Sequence, residues 1–96
     1  MRRAAKVDTT HAAIRDGLRS LGCVVHDLAA VGGGIPDLLV GARGRWVLIE
    51  AKSPKKGLRG KPQQDFHALA TQRGLPCHVA HDLEEAIDAV FERVRP

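Results

Sequence analysis

A chain of 96 residues holds one domain, residues 1–96, because single cores typically serve about 50 to 200 residues, and this excludes a tandem enzyme or multi-module scaffold. Hydrophobic residues at 44% and charged residues at 27% match globular averages and exclude a disordered or collagen-like chain. The net charge of +4 is concentrated: from Arg43 to Lys61 seven cations (Arg43, Arg45, Lys52, Lys55, Lys56, Arg59, Lys61) face Glu50 alone, giving +6, the electrostatic footprint of a site for a polyanion.

Asp8, Thr9 and Thr10 are good helix starters, and Ile14, Leu18 and Leu21 follow as one apolar stripe before Gly22 closes the first helix. Cys23 to Leu28 reads as a strand, with Cys23 and, later, Cys77 as small apolar strand residues. Pro36 to Gly41 and Arg45 to Lys52 are two further strands joined through Arg43-Gly44 as a hairpin. Pro62 suits the first turn of a second helix whose buried side is expected to hold Phe66, Leu69 and Ala70. Pro76 to His81 is a fourth strand. Asp82 with Glu85 reads as a capping box ahead of the amphipathic run Leu83, Ile87, Val90, Phe91 and Val94. The order α-β-β-β-α-β-α combines an antiparallel hairpin with a right-handed crossover, so the expected fold is α/β, a mixed sheet covered by helices.

A tight turn at Arg43-Gly44 pairs Ala42 with Arg45, Gly41 with Trp46, and so on to Asp37 with Glu50. Directly opposed residues share a face with Cβ atoms roughly 5 Å apart. Two carboxylates at about that separation repel by roughly 3 kcal/mol at an effective dielectric near 20, so something positive is expected between them. Lys52, two residues after Glu50, shares its face and supplies one charge. Two carboxylates with a backbone carbonyl also form the all-oxygen set that a hard cation such as Mg²⁺ accepts, and such an ion lowers the pKa of its water for phosphodiester hydrolysis.

The block Gly34-Ile35-Pro36-Asp37-Leu38-Leu39-Val40-Gly41 followed by Val47-Leu48-Ile49-Glu50-Ala51-Lys52 resembles the Pro-Asp…(Asp/Glu)-x-Lys signature of the restriction-endonuclease-like nucleases. It is most similar to the VRR-NUC family, in its small stand-alone phage and bacterial members, and the likeness runs from about Val7 to Val90. The resemblance implies a restriction-endonuclease-like core, with Asp37, Glu50 and the Ala51 carbonyl as ligands of Mg²⁺ or Mn²⁺. It also implies that Lys52 positions or activates water. The family has a glutamine on the next helix. Gln63 lies about 60° from Phe66 on the buried side, whereas Gln64 lies about 160° away, so Gln63 is the match, orienting a water or a phosphate. The family's first-helix Glu or Gln is replaced by His11, which faces inward and either contacts metal-bound water or phosphate or makes an ordinary partly buried hydrogen bond.

Aromatic residues are 3% of the chain, so recognition is expected through phosphates, by Arg43, Arg45, Lys55, Lys56, Arg59 and Lys61. The turn Gly32-Gly33-Gly34 is expected to let nucleic-acid backbone approach Asp37. The expected activity is metal-dependent, sequence-independent endonuclease cleavage of DNA, selective for branched or junction forms, and the family resemblance implies a homodimer. The alternative is a catalytically weak DNA-binding accessory or structural subunit of the same fold. Apolar runs such as Ile35 to Ala42 fall short of the roughly 20 residues of a membrane span, and Arg2-Arg3 leads into no signal segment. An intracellular protein is therefore expected, and the resemblance implies the cytoplasm of a bacterium or phage-infected cell.

Overall fold

The computed structural model describes residues 9–54, 57–58 and 60–93. It is a mixed α+β fold in which three helices pack on one four-stranded sheet: α1 (Thr9–Ser20), β1 (Val24–Asp27), β2 (Leu38–Ala42), β3 (Arg45–Ala51), α2 (Lys61–Gln72), β4 (Cys77–Ala80) and α3 (Leu83–Phe91). The strands lie in chain order, β1 and β2 antiparallel, β2 and β3 antiparallel, β3 and β4 parallel. The parallel step is the one bridged by a helix, as a crossover requires.

The hairpin turn has φ values of 54° at Arg43 and 78° at Gly44, both left-handed, which is the two-residue connection whose twist matches that of the flanking strands. It sets the expected register: Ala42 pairs with Arg45, Gly41 with Trp46, and Leu38 with Ile49. One step further along the same ladder stand Asp37 and Glu50.

Because side chains alternate across a sheet, Val25, Leu38, Val40, Val47, Ile49 and Ala51 point to one face, where Ile14 and Leu18 of α1 and Ala86 and Val90 of α3 meet them in a continuous core. Each such large aliphatic side chain contributes about 1.5 to 3 kcal/mol by leaving water. The other face carries Leu39, Gly41, Trp46, Leu48, Glu50 and Lys52, and α2 covers it on the β4 side, burying His67 and Ala70.

Two helical faces differ from the sequence expectation. Leu21 lies beyond the last turn of α1 and is exposed, because the chain leaves the helix at Ser20 before the stripe is complete. On α2, His67 and Ala70 point at the sheet while Leu69 is exposed and Phe66 only half-buried. The cause is that α2 presents to β4 a narrow contact, Cys77 facing His67, with no broad apolar surface for Leu69 to cover. Asp82 caps α3 by accepting a hydrogen bond from Glu85 N–H at 2.8 Å. The reciprocal bond is shifted by one residue, since Glu85 Oε1 accepts from His81 N–H at 2.8 Å. Val94 lies outside the described residues.

Candidate active site

The site forms where β2 begins, β3 ends and α2 starts. Asp37 precedes β2, and its Oδ2 accepts a hydrogen bond from the Ala51 N–H at 3.0 Å, so its carboxylate is held across the hairpin against the end of β3. Glu50, 3% exposed, stands beside it. Lys52 Nζ lies 3.6 Å from Glu50 Oε2, and Gln63 Nε2 donates to the same oxygen at 3.5 Å. Asp37, Glu50, Lys52 and Gln63 thus come from three separate segments to one place, and Gln64 remains exposed.

The electrostatics follow from burial. Loss of water, and then the neighbouring Asp37 carboxylate, raise the Glu50 pKa from 4.5 to about 7, against the opposing pull of Lys52. Glu50 Oε1 is fully buried and has no hydrogen-bond partner among the described residues. A buried carboxylate oxygen without a donor is costly, and its neighbour Asp37 is a second carboxyl, with which it can only share a proton. The orphaned oxygen and the crowding of two acids are both relieved by a cation, so these residues fit a divalent metal ion. Among the described residues no three His, Cys, Asp or Glu side chains are arranged as a metal cage. Two carboxylates with backbone oxygen are a set that a hard cation accepts while keeping several of its waters. Ala51, whose carbonyl completes that set in the family pattern, is buried at the end of β3.

His11 enters from α1, half-buried. Its Nε2 lies 2.9 Å from Asp27 Oδ2 and its Nδ1 4.0 Å from Asp37 Oδ2. Asp27 is a residue that sequence reasoning missed. At the end of β1 it accepts the Ala29 N–H at 2.9 Å, an Asx turn, and this bond, then His11, hold its carboxyl below the usual range. Its signal in the sequence was the Asp followed two residues later by a turn, but only pairing with Leu38 brings it next to Asp37. His67 and Cys77 were also not singled out as a pair. The Cys77 thiol lies 3.5 Å from His67 Nδ1, and burial, then Glu50, push it up to about 11, which suits a packing residue and not a nucleophile.

The basic residues divide. Arg43 sits over the Phe91 ring at 5.0 Å. Arg45 donates to the Val90 carbonyl at 2.9 Å and lies 3.4 Å from Glu92. Both sit at the hairpin turn end, Arg45 being five residues or roughly 17 Å along β3 from Glu50, and the structure does not bring them to the acids. Lys61 opens α2, two residues ahead of Gln63, exposed and 3.0 Å from Asp65. Lys55, Lys56 and Arg59 lie outside the described residues.

One glycine of the turn meets protein backbone, while Gly32 and Gly33 have nothing within 4 Å of an added Cβ. Gly34, at φ +85°, would place a Cβ 2.5 Å from the Pro62 carbonyl group, so the backbone that approaches it is that of α2. Only a glycine lets the helix N-terminus, and with it Gln63, close over Glu50. No family model matches this chain, and no curated protein matches it.

Proposed function

We propose that this chain is a metal-dependent endonuclease of the restriction-endonuclease-like type, cutting DNA phosphodiester bonds without sequence preference. The observation that carries the reading is the buried, partnerless Glu50 Oε1 beside Asp37, with Lys52 and Gln63 converging on the same carboxylate. A bound Mg²⁺ or Mn²⁺ would supply Lewis acidity and a more acidic water.

The chain's own residues do the rest. Asp37, anchored by the Ala51 N–H, and Glu50 would hold the ion, with the Ala51 carbonyl as the backbone ligand. Lys52, its ammonium half-buried beside Glu50, orients the attacking water and neutralises charge that develops on the phosphate, where preorganised charge acts most strongly. Gln63 donates from the α2 side and positions water or phosphate. Lys61, together with Lys55, Lys56 and Arg59, binds backbone phosphates flanking the cut. Arg43 and Arg45, engaged with α3, are left out of this set. Branched or junction DNA, bound by a homodimer in the cytoplasm of a bacterial or phage-infected cell, is the proposed setting.

The test is a panel of branched, flapped, nicked and linear DNAs with Mg²⁺ and Mn²⁺. Cleavage by the natural chain, and its loss by about 10²-fold or more in Asp37→Asn and Lys52→Ala with folding and DNA affinity retained, supports the proposal. Tight DNA binding with no metal-dependent cutting would instead favour the DNA-binding accessory.

A further inference from the structure

The acids Asp37 and Glu50 have a further neighbour on the α1 side. Asp27 closes β1 and pairs with Leu38, so it stands one ladder step from Asp37, and the first turn of α1 brings His11 to both. The His11 side chain, 15% exposed, places Nε2 2.9 Å from Asp27 Oδ2. Asp27 is itself pinned: its Oδ1 accepts from the Ala29 N–H at 2.9 Å, and the Arg15 guanidinium lies 3.6 Å from Oδ2. A carboxylate held ionised by such donors only accepts hydrogen bonds, so the ring nitrogen that meets it carries the proton. The other nitrogen, Nδ1, is turned toward Asp37, 4.0 Å from its Oδ2.

That spacing is too long for a hydrogen bond. An imidazolium shared between two acids would close on both, whereas this ring closes on Asp27 alone. Two ligands of one ion, each about 2.1 Å from it, stand roughly 3.0 Å apart at right angles and roughly 4.2 Å apart on opposite sides. The observed 4.0 Å falls inside that span. We propose that His11 is a nitrogen ligand of the ion held by Asp37 and Glu50, with Asp27 as its positioning residue, and that the site therefore takes a divalent transition ion ahead of Mg²⁺.

Both donors that flank the gap are braced from behind, Asp37 by the Ala51 N–H at 3.0 Å and His11 by Asp27. A histidine that gives its second nitrogen's proton to a carboxylate has the ring orientation and raised basicity of a ligating imidazole. Glu50 Oε1, buried and partnerless among the described residues, independently marks a place that calls for positive charge. Among the described residues the donors do not close into a cage, so the ring stands on the open side of the set, toward α1. A phosphate oxygen does not suit the same nitrogen, since Nδ1 offers a lone pair and an anion needs a donor. Mg²⁺ is served by oxygen ligands and water, whereas imidazole suits transition ions, whose affinity for such mixed sites rises from Mn²⁺ to Co²⁺. The inference rests on the metal-site reading of Asp37 and Glu50 and adds to it the kind of ion.

Mn²⁺ added to the metal-free full chain without DNA is the probe. Pulsed EPR of the bound ion should show modulation from a directly bound nitrogen, shifted when histidine carries the heavier nitrogen isotope. The modulation should be lost in His11→Gln and kept in His26→Gln, whose ring is exposed on β1. The Mg²⁺ excess needed to displace Mn²⁺ should fall roughly tenfold or more in His11→Gln. Asp27→Ala, which leaves His11 in place, should weaken Mn²⁺ binding about 10- to 100-fold, and Asp27→Asn, whose amide oxygen still accepts from Nε2, should recover part of the loss. A hydrogen bond that merely fastened α1 to β1 would leave the nitrogen signal and the ion preference unmoved. Bound Mn²⁺ without nitrogen modulation, modulation that survives His11→Gln, or an unchanged preference between the two ions would each overturn the inference and leave the nuclease reading standing. A natural chain that holds Mn²⁺ no better than Asp37→Asn would overturn both.

Discussion

Glu50→Gln isolates the electrostatic cost built into the site. The folded-state pKa of Glu50, about 7, lies above its ordinary 4.5. A carboxyl raised in this way contributes full stability below pH 4.5, and that contribution is lost as the pH rises through 7. At about 1.36 kcal/mol for each pH unit between the two values, ionising Glu50 in the metal-free fold costs at most about 3 kcal/mol. Glutamine keeps the shape and the contact with Gln63 but never ionises. The variant should therefore match the natural chain at pH 5 and exceed it at pH 8 by roughly 2 to 3 kcal/mol, the opposing pull of Lys52 on the buried carboxylate being already contained in the raised value. For a domain this small that is on the order of ten degrees in melting temperature. Thermal and urea unfolding at both pH values in chelator provide the measurement, and Mg²⁺ should then stabilise the natural chain at pH 8 and leave the variant unmoved. Parallel pH dependences for the two proteins would refute the argument.

Gly34→Ala should cost about 3 kcal/mol or more, since it meets both a left-handed φ and the Pro62 backbone. Gly33→Ala, with a left-handed φ of 68° but nothing within 4 Å, should cost only about 1 kcal/mol; urea titrations compare the two. Removing the α3 cap with Asp82→Ala should lower stability by about 1 kcal/mol, read in the same titrations. DNA affinity should fall steeply with salt, and Lys61→Ala should reduce the slope of log affinity against log salt by about 1. Arg45→Ala, whose guanidinium is committed to Val90 and Glu92, should leave that slope unchanged; fluorescence anisotropy with a labelled duplex checks both.

The sequence by itself determined the local features: which segments form helices and strands, the turn at Arg43-Gly44, and through it the register that sets Asp37 opposite Glu50. These are legible because period, capping and turn chemistry act over a few residues. The choice of Gln63 over Gln64 was legible from helical angle, once the resemblance asked for a glutamine on that helix. What only the tertiary structure decided depends on how elements pack. That α2 meets the sheet through His67 and not Leu69, that Asp27 lies beside His11 and Asp37, and that Arg43 and Arg45 bind α3 are all consequences of long-range contacts. Charge counting along the chain grouped those two arginines with the basic loop, since a linear count cannot show that a seven-residue strand carries them to the far end of the hairpin. Gly34 is the clearest case: its freedom of φ was readable from its identity, but the partner that requires it, the Pro62 backbone, is 28 residues away in sequence and touches it only when the sheet and α2 are assembled.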